Sequence, residues 1–295
     1  MNKLALGTVQ FGMHYGIANN SKKIFPQKSI SKILKLAKLS KITTLDTAIA
    51  YGSSEKKLGK ENLDSFDVIT KISNIPSLKN NIHSWIRKEV ELSLQRLNQN
   101  KIYGVLLHKA SDLNGPDGKK IYEALSILKK ERIISKIGIS IYSPSELDNI
   151  VPNFDIDIVQ SPFNVFDTRL KTSGWMNKLH QANIEIHTRS TFLQGLLLCS
   201  PDKLSSKMSF AAPYVSAFHD LCRDAGLSPA ELAIRYVAQA APRALLIIGC
   251  ETSNQLRQNA RYITRQDLDD QLVRRIHTLP FGGPKLVNPY LWNRQ

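Results

Sequence analysis

The sequence predicts an α/β fold of the closed (β/α)8 TIM-barrel type. Three observations lead there: eight short apolar or β-branched runs of strand length, an amphipathic helical pattern after each, and a chain of 295 residues, against the roughly 250 that such a barrel needs. Strands alternating with helices imply parallel pairing, and eight repeats favour closure over an open doubly wound sheet. No G-x-G-x-x-G follows any of the runs, which counts against a Rossmann arrangement. With no Pro/Gly/Ser-rich linker or low-complexity block, residues 1–295 are expected to form one domain, with 279–295 as a carboxyl-terminal loop or tail.

The strand-like runs are, in order, residues 4–7, 43–46, 67–70, 103–107, 136–139, 156–160, 185–188 and 244–249. Helical patterns cover 26–39, 54–60, 82–97, 119–131, 145–150, 175–181, the pair 213–225 and 229–239, and 253–263. Ser143-Pro144-Ser145-Glu146 and Ser228-Pro229-Ala230-Glu231 carry helix-start chemistry. In each, a hydroxyl can cap free backbone amides, and proline fits the first turn.

Composition narrows the class. With 42% hydrophobic and 22% charged residues the chain can fill a core, so disorder and fibrous folds are excluded. No run approaches the ~18 apolar residues that span a bilayer, and the opening Met1-Asn2-Lys3-Leu4 lacks a signal-peptide layout; a soluble, cytoplasmic protein is expected, with no membrane partner. Cys199, Cys222 and Cys250 lack metal-ligand or CxxC spacing, which argues against disulfides and zinc. The net charge of +15 reads either as a polyanion-binding surface or as a solvated exterior around a site for a small anion. Basic residues occur singly or in pairs, as at Lys22-Lys23 and Lys56-Lys57, without a basic tail or a nucleic-acid motif, so no nucleic-acid partner is expected.

A barrel places its chemistry at the carboxyl ends of the strands. Asp46 and nearby Tyr51 follow the second run, Lys71 the third and His108 the fourth. Alone, each has an ordinary explanation: a helix cap, a rim aromatic, a solvated lysine, a core histidine. Together they make a proton-transfer set. A tyrosine with a pKa of about 10 is a poor acid or base at neutral pH, and a lysine within hydrogen-bond reach would stabilise its phenolate. Asp46 would hold Lys71 charged, while His108 would donate to a carbonyl oxygen. No G-x-S-x-G elbow, H-x-H, H-E-x-x-H or Walker loop is present, so carbonyl reduction is favoured over hydrolysis or metal chemistry.

The chain resembles the aldo-keto reductases. Leu45-Asp46-Thr47-Ala48-Ile49-Ala50-Tyr51-Gly52-Ser53-Ser54-Glu55-Lys56-Lys57-Leu58-Gly59 is similar to the signature D-T-A-x-x-Y-G-x-S-E-x-x-L-G. Val68-Ile69-Thr70-Lys71, Ser93-Leu94-Gln95-Arg96-Leu97 leading to His108, Lys136 to Ser140, Val159 to Asn164 and Ser190 to Leu197 follow in family order. The resemblance runs from about residue 4 to residue 263.

It implies an NAD(P)H-dependent oxidoreductase that interconverts an aldehyde or ketone and its alcohol. Tyr51 would be the general acid/base, Lys71 and Asp46 its tuning pair, and His108 the group that orients the carbonyl. Ser140 and Gln160 would hold the nicotinamide carboxamide. Arg189, where many relatives carry a stacking aromatic, would lie on the ring, and the loop with Ser190, Leu193 and Gly195 would wrap the pyrophosphate. Gly249, Thr252, Ser253, Gln255, Gln258 and Asn259 would take the adenosine half. Well-known relatives grip the 2′-phosphate with a lysine and an arginine at places that here look like Gly249 and Gln255. With Arg257 as a substitute cation, NADPH is expected over NADH. Gly104, in place of an acidic residue common on the fourth strand, reads as a packing variation.

Substrate choice is expected from Phe11, Met13, His14 and Tyr15, from the loop 109–118, and from 279–295. That last segment, with Phe281, Tyr290 and Trp292, reads equally as a binding lid or as a tail packed on the barrel exterior. The segment from Gln10 to Asn19 resembles sugar-oxidoreductase-type members, which points to a polyol, aldose or modified sugar. A cofactor-binding regulatory subunit without turnover is the alternative role. A monomer or weak homo-oligomer is expected, with no metal.

Overall fold

The structure, a computed structural model, describes residues 3–17, 24–76 and 81–292. Eight strands, β1 (Leu4–Gly7), β2 (Thr44–Asp46), β3 (Asp67–Ile72), β4 (Ile102–Leu107), β5 (Ile134–Ser140), β6 (Ile158–Pro162), β7 (Glu185–Arg189) and β8 (Leu245–Gly249), form a closed barrel in chain order. Every pair is parallel, and β8 closes onto β1 from Leu4 opposite Leu246 to Gly7 opposite Gly249. This is the predicted (β/α)8 class. Strand ends differ by a residue or two, with one consequence for the site. The β3–β4 ladder extends to Ile72 opposite Leu107, so Lys71 lies inside β3 and not after it.

Successive side chains point to opposite faces of a strand, and the apolar packing divides accordingly. Leu45, Val68, Val105, Ile137, Val159, Ile186 and Leu246 share one buried cluster with the surrounding helices. Ile69, Leu106 and Ile158 make a separate cluster on the opposite, inner face. Gly104 belongs to this interior: a Cβ there would come within 2.9 Å of Ile158 Cδ1, so glycine makes room for the packed barrel centre.

The helix Gln27–Leu39 buries Ile30, Ile33, Leu34 and Ala37, and Ile82–Leu97 buries Ile82, Ile86, Val90 and Leu97, the spacing of a single apolar stripe. Ser228 caps the helix Pro229–Ala240 by accepting from Glu231 N. The predicted helix at 145–150 is a 3-10 turn, Pro144–Glu146, followed by one α-turn, Leu147–Ile150, both started by the capping box of Ser143 and Glu146.

Two helices near the carboxyl end, Asp270–His277 and Gly283–Val287, lie beyond the predicted elements. Leu286, Val287 and Trp292 join the main buried cluster, and Trp292 Nε1 donates to the Lys285 carbonyl at 2.8 Å. Of the two readings of this segment, the described residues fit the packed tail. Among the described residues, no helix is long and apolar enough to cross a membrane, and no group of His, Cys, Asp and Glu is arranged to hold a metal ion.

Candidate active site

The carboxyl ends of the strands bring Asp46, Tyr51, Lys71, His108 and Gln160 together. Lys71 is fully buried, and its Nζ donates to both Asp46 oxygens at 2.7 Å and to the Thr47 carbonyl at 2.9 Å. Gln160 Nε2 reaches the same carboxylate from β6 at 2.8 Å. The Tyr51 ring lies 5.1 Å from Lys71 Nζ and meets the His108 ring edge-on at 6.1 Å. Both sit in the loops that extend β2 and β4 into the mouth.

Lys71 thus spans the two oxygens of one carboxylate and one backbone carbonyl, and its Nζ faces the Tyr51 ring. Burial, reinforced by the Asp46 carboxylate, pushes the Tyr51 pKa well above the usual phenol value, with Arg189 opposing. Burial also lowers Lys71, opposed by Asp46, and takes His108 down to about 4 with help from the Lys71 and Arg189 charges. At neutral pH the phenol and the imidazole are both uncharged.

The backbone holds the Tyr51 loop by close approach. A Cβ on Gly12 would stand 1.8 Å from the Tyr51 carbonyl oxygen, and one on Gly52 would stand 2.5 Å from the Gly12 oxygen. Gly52 also needs its positive φ of 57°. The hydroxyls of Thr8, Thr47 and Ser54 join below it: Thr47 donates to Ser54, and Ser54 to Thr8, whose hydroxyl donates to the Asp46 carbonyl. Glu55 of the signature is not in the mouth. Buried to 2% exposure, it accepts from Thr70 and from Arg96 Nε, both at 2.6 Å, and so binds β3 and the helix Ile82–Leu97 to its own short helix.

A cavity of about 440 Å³ opens at this end of the barrel. Asp46, Tyr51, Gln160 and Tyr15 line its inner part. It passes the loop after β7, with Arg189, Ser190, Thr191, Phe192, Gln194 and Gly195, and ends against Gly249, Glu251, Gln255, Gln258 and Asn259. The helix Ser253–Tyr262 that carries the last three packs against Gln27–Leu39 and Pro229–Ala240 in the outer ring. The cavity thus runs from the barrel centre outward. Ser190, Leu193, Gln194 and Gly195 all have left-handed backbone, a tight turn in which the Leu193 and Gly195 amides donate to the Ser190 and Phe192 carbonyls, both at 2.9 Å. Ile17 N donates to the Gln194 carbonyl at 2.8 Å and ties the β1 loop across it.

Several predicted contacts lie elsewhere. Phe11, expected to touch substrate, is 1% exposed and packs its ring 5.6 Å from Phe25 in the core. Leu193 is buried beneath the β7 loop, whose backbone bounds the cavity. Thr252 and Ser253 do not line the cavity; Thr252 caps the helix by accepting from Gln255 N. Arg257 is exposed because positions 255, 258 and 259 share one helix face and 257 turns away from it. Ser140 is buried at the end of β5, opposite Gln160 in the ladder. Met13 and His14 are exposed at the rim.

Sequence reasoning missed Thr8, Gln10 and Glu251 on the cavity wall. Their one signal was position just beyond a strand end. Gly249 is explained by Gln10: a Cβ there would meet the Gln10 side-chain amide at 2.7 Å. Gln10 Oε1 and Thr191 Oγ1 are buried without a hydrogen-bond partner, and both residues line the cavity. These unpartnered polar groups and the elongated shape fit an extended polar ligand such as a dinucleotide, whose hydroxyl and amide groups can pair with them.

Residues 3–279 match the model of the Aldo/keto reductase family. The chain belongs to that family. It is therefore an oxidoreductase of a family that reduces carbonyls with nicotinamide cofactors. The fold agrees with solved aldo-keto reductases: AKR11C1 from Bacillus halodurans in its holo form (TM-score 0.75, 19% identity, covering 94% of this chain and 91% of that one) and the glycerol dehydrogenase AKR11B4 from Gluconobacter oxydans (TM-score 0.72, 21% identity, 94% and 90%). No curated protein sequence matches this one.

Proposed function

We propose that this aldo/keto reductase interconverts a small carbonyl compound and its alcohol, with Tyr51 as general acid/base and a polyol, aldose or modified sugar as the substrate class. The observation that carries the reading is Tyr51 itself: a half-buried phenol on the cavity wall, against the Lys71–Asp46 pair and edge-on to His108. A bound nicotinamide supplies or accepts the hydride. Tyr51 holds the proton that the developing alkoxide needs, and its raised pKa suits the reductive direction, where the phenol must start protonated. The neutral His108 offers one N–H to the carbonyl oxygen without adding charge to the site. Lys71 and Asp46 hold the floor on which the Tyr51 ring rests. Gln160, its amide nitrogen fixed by Asp46, keeps its carbonyl oxygen for the nicotinamide carboxamide beside Ser140. Arg189 and the β7 loop, from Ser190 to Gly195, would face the nicotinamide side and the pyrophosphate.

Tyr51→Phe removes one oxygen and keeps the ring. Turnover on a panel of aldoses and simple ketones should fall about 100-fold or more, while the dinucleotide, followed by fluorescence quenching, binds within about twofold of wild type. Unchanged turnover would overturn the role of Tyr51.

A further inference from the structure

The outer end of the cavity is built against a phosphate. A dinucleotide that reaches Tyr51 with its nicotinamide must extend outward along the cavity, which sets its adenosine half against Glu251 and the helix Ser253–Tyr262. We infer that the protein selects the dinucleotide with a free adenosine 2′-hydroxyl, NADH, over its 2′-phosphorylated form, NADPH, and that Glu251 makes the choice. The inference rests on the hydride-transfer reading above and reverses the NADPH preference that family resemblance alone implied.

Two independent features support it. The first is charge. Arg189, far inward at the end of β7, is the one cationic side chain on the cavity wall among the described residues, and Arg257 points away from it. At the outer end the carboxylate is that of half-buried Glu251, which repels a phosphate and can accept a hydrogen bond from a ribose hydroxyl. The second is the state of the helix start. A free helix N-terminus attracts phosphate through unpaired amides. Here the Gln255 side-chain oxygen accepts from Glu251 N at 2.6 Å and from Thr252 N at 3.2 Å, while Thr252 Oγ1 accepts from Gln255 N at 3.1 Å. The capping box thus occupies three of the amides at this helix start.

Titration of the purified protein with NADH and NADPH, read by quenching of tryptophan fluorescence and checked by calorimetry, tests this without reference to turnover. NADH should bind at least tenfold tighter, about 1.4 kcal/mol, with a gap that shrinks as salt rises. Glu251→Gln, which keeps size and removes charge, should narrow the gap mainly by improving NADPH binding, and Glu251→Lys should close or reverse it. Equal or tighter binding of NADPH to the wild-type protein overturns the inference and leaves the hydride-transfer reading standing. A full gap retained in Glu251→Gln overturns the role of Glu251. Binding of neither dinucleotide overturns both.

Discussion

Lys71 donates to Asp46 and the Thr47 carbonyl, so a buried ion pair forms the floor of the site and Tyr51 stands on it as a neutral phenol. His108 stands beside it with a pKa held near 4 by burial and by the Lys71 and Arg189 charges, against about 6.5 in an unfolded chain. Between those values the unfolded chain binds the extra proton. The stability that His108 contributes is therefore complete above pH 6.5 and is lost as the pH falls towards 4. Between pH 7 and pH 5 the wild-type protein should lose about 2 kcal/mol through this residue alone. His108→Asn should remove that part of the loss, as measured by urea denaturation at the two pH values; an equal loss in both proteins would place the titration elsewhere. The tetrad residues were legible in sequence because each lies at or just beyond a strand end. Lys71's contact with the Thr47 carbonyl was not, because that depends on how the folded backbone of the loop after β2 lies.

At the scale of elements, the site depends on contacts between loops and helices that share no local sequence. Gly12 touches the Tyr51 carbonyl so closely that Gly12→Ala must displace the loop carrying the phenol. That variant should keep a barrel-like circular dichroism spectrum and lose turnover about as severely as Tyr51→Phe, with near-wild-type activity as the outcome that rejects the contact. Glu55 clamps three elements through Thr70 and Arg96. Glu55→Ala leaves Arg96 without its carboxylate, and urea denaturation should show a loss of about 3 kcal/mol. The signature around Asp46 and Tyr51 was readable as a motif, yet it did not separate the residues that meet a ligand from the residue that holds the frame. Phe11 shows the same limit. Its position after β1 suggested a substrate contact, and the turn of the short helix Val9–Gly12 carried its ring into the core instead.

For the molecule as a whole, the buried cluster includes Leu286, Val287 and Trp292, and no residue of 279–292 lines the cavity. Phe281, 65% exposed, lies off the cavity wall. Phe281→Ala should leave KM for the carbonyl substrate unchanged, whereas Trp292→Ala should cost stability of about 3 kcal/mol, the scale of removing a buried indole. A raised KM in the first variant would restore the lid. Among the described residues, the surplus of +15 charges does not extend to the cavity's outer end, where the carboxylate is Glu251.

The order of strands, their parallel pairing and the identity of the tetrad followed from the sequence alone, because period-two and helical apolar patterns and strand-end positions are local properties of a chain. Which groups Lys71 donates to, which side of the helix Ser253–Tyr262 faces the cavity, and which side chains lie at its outer end were decided only in the tertiary structure. Each depends on the distance between groups far apart in the chain, and closure of the barrel is what sets those distances.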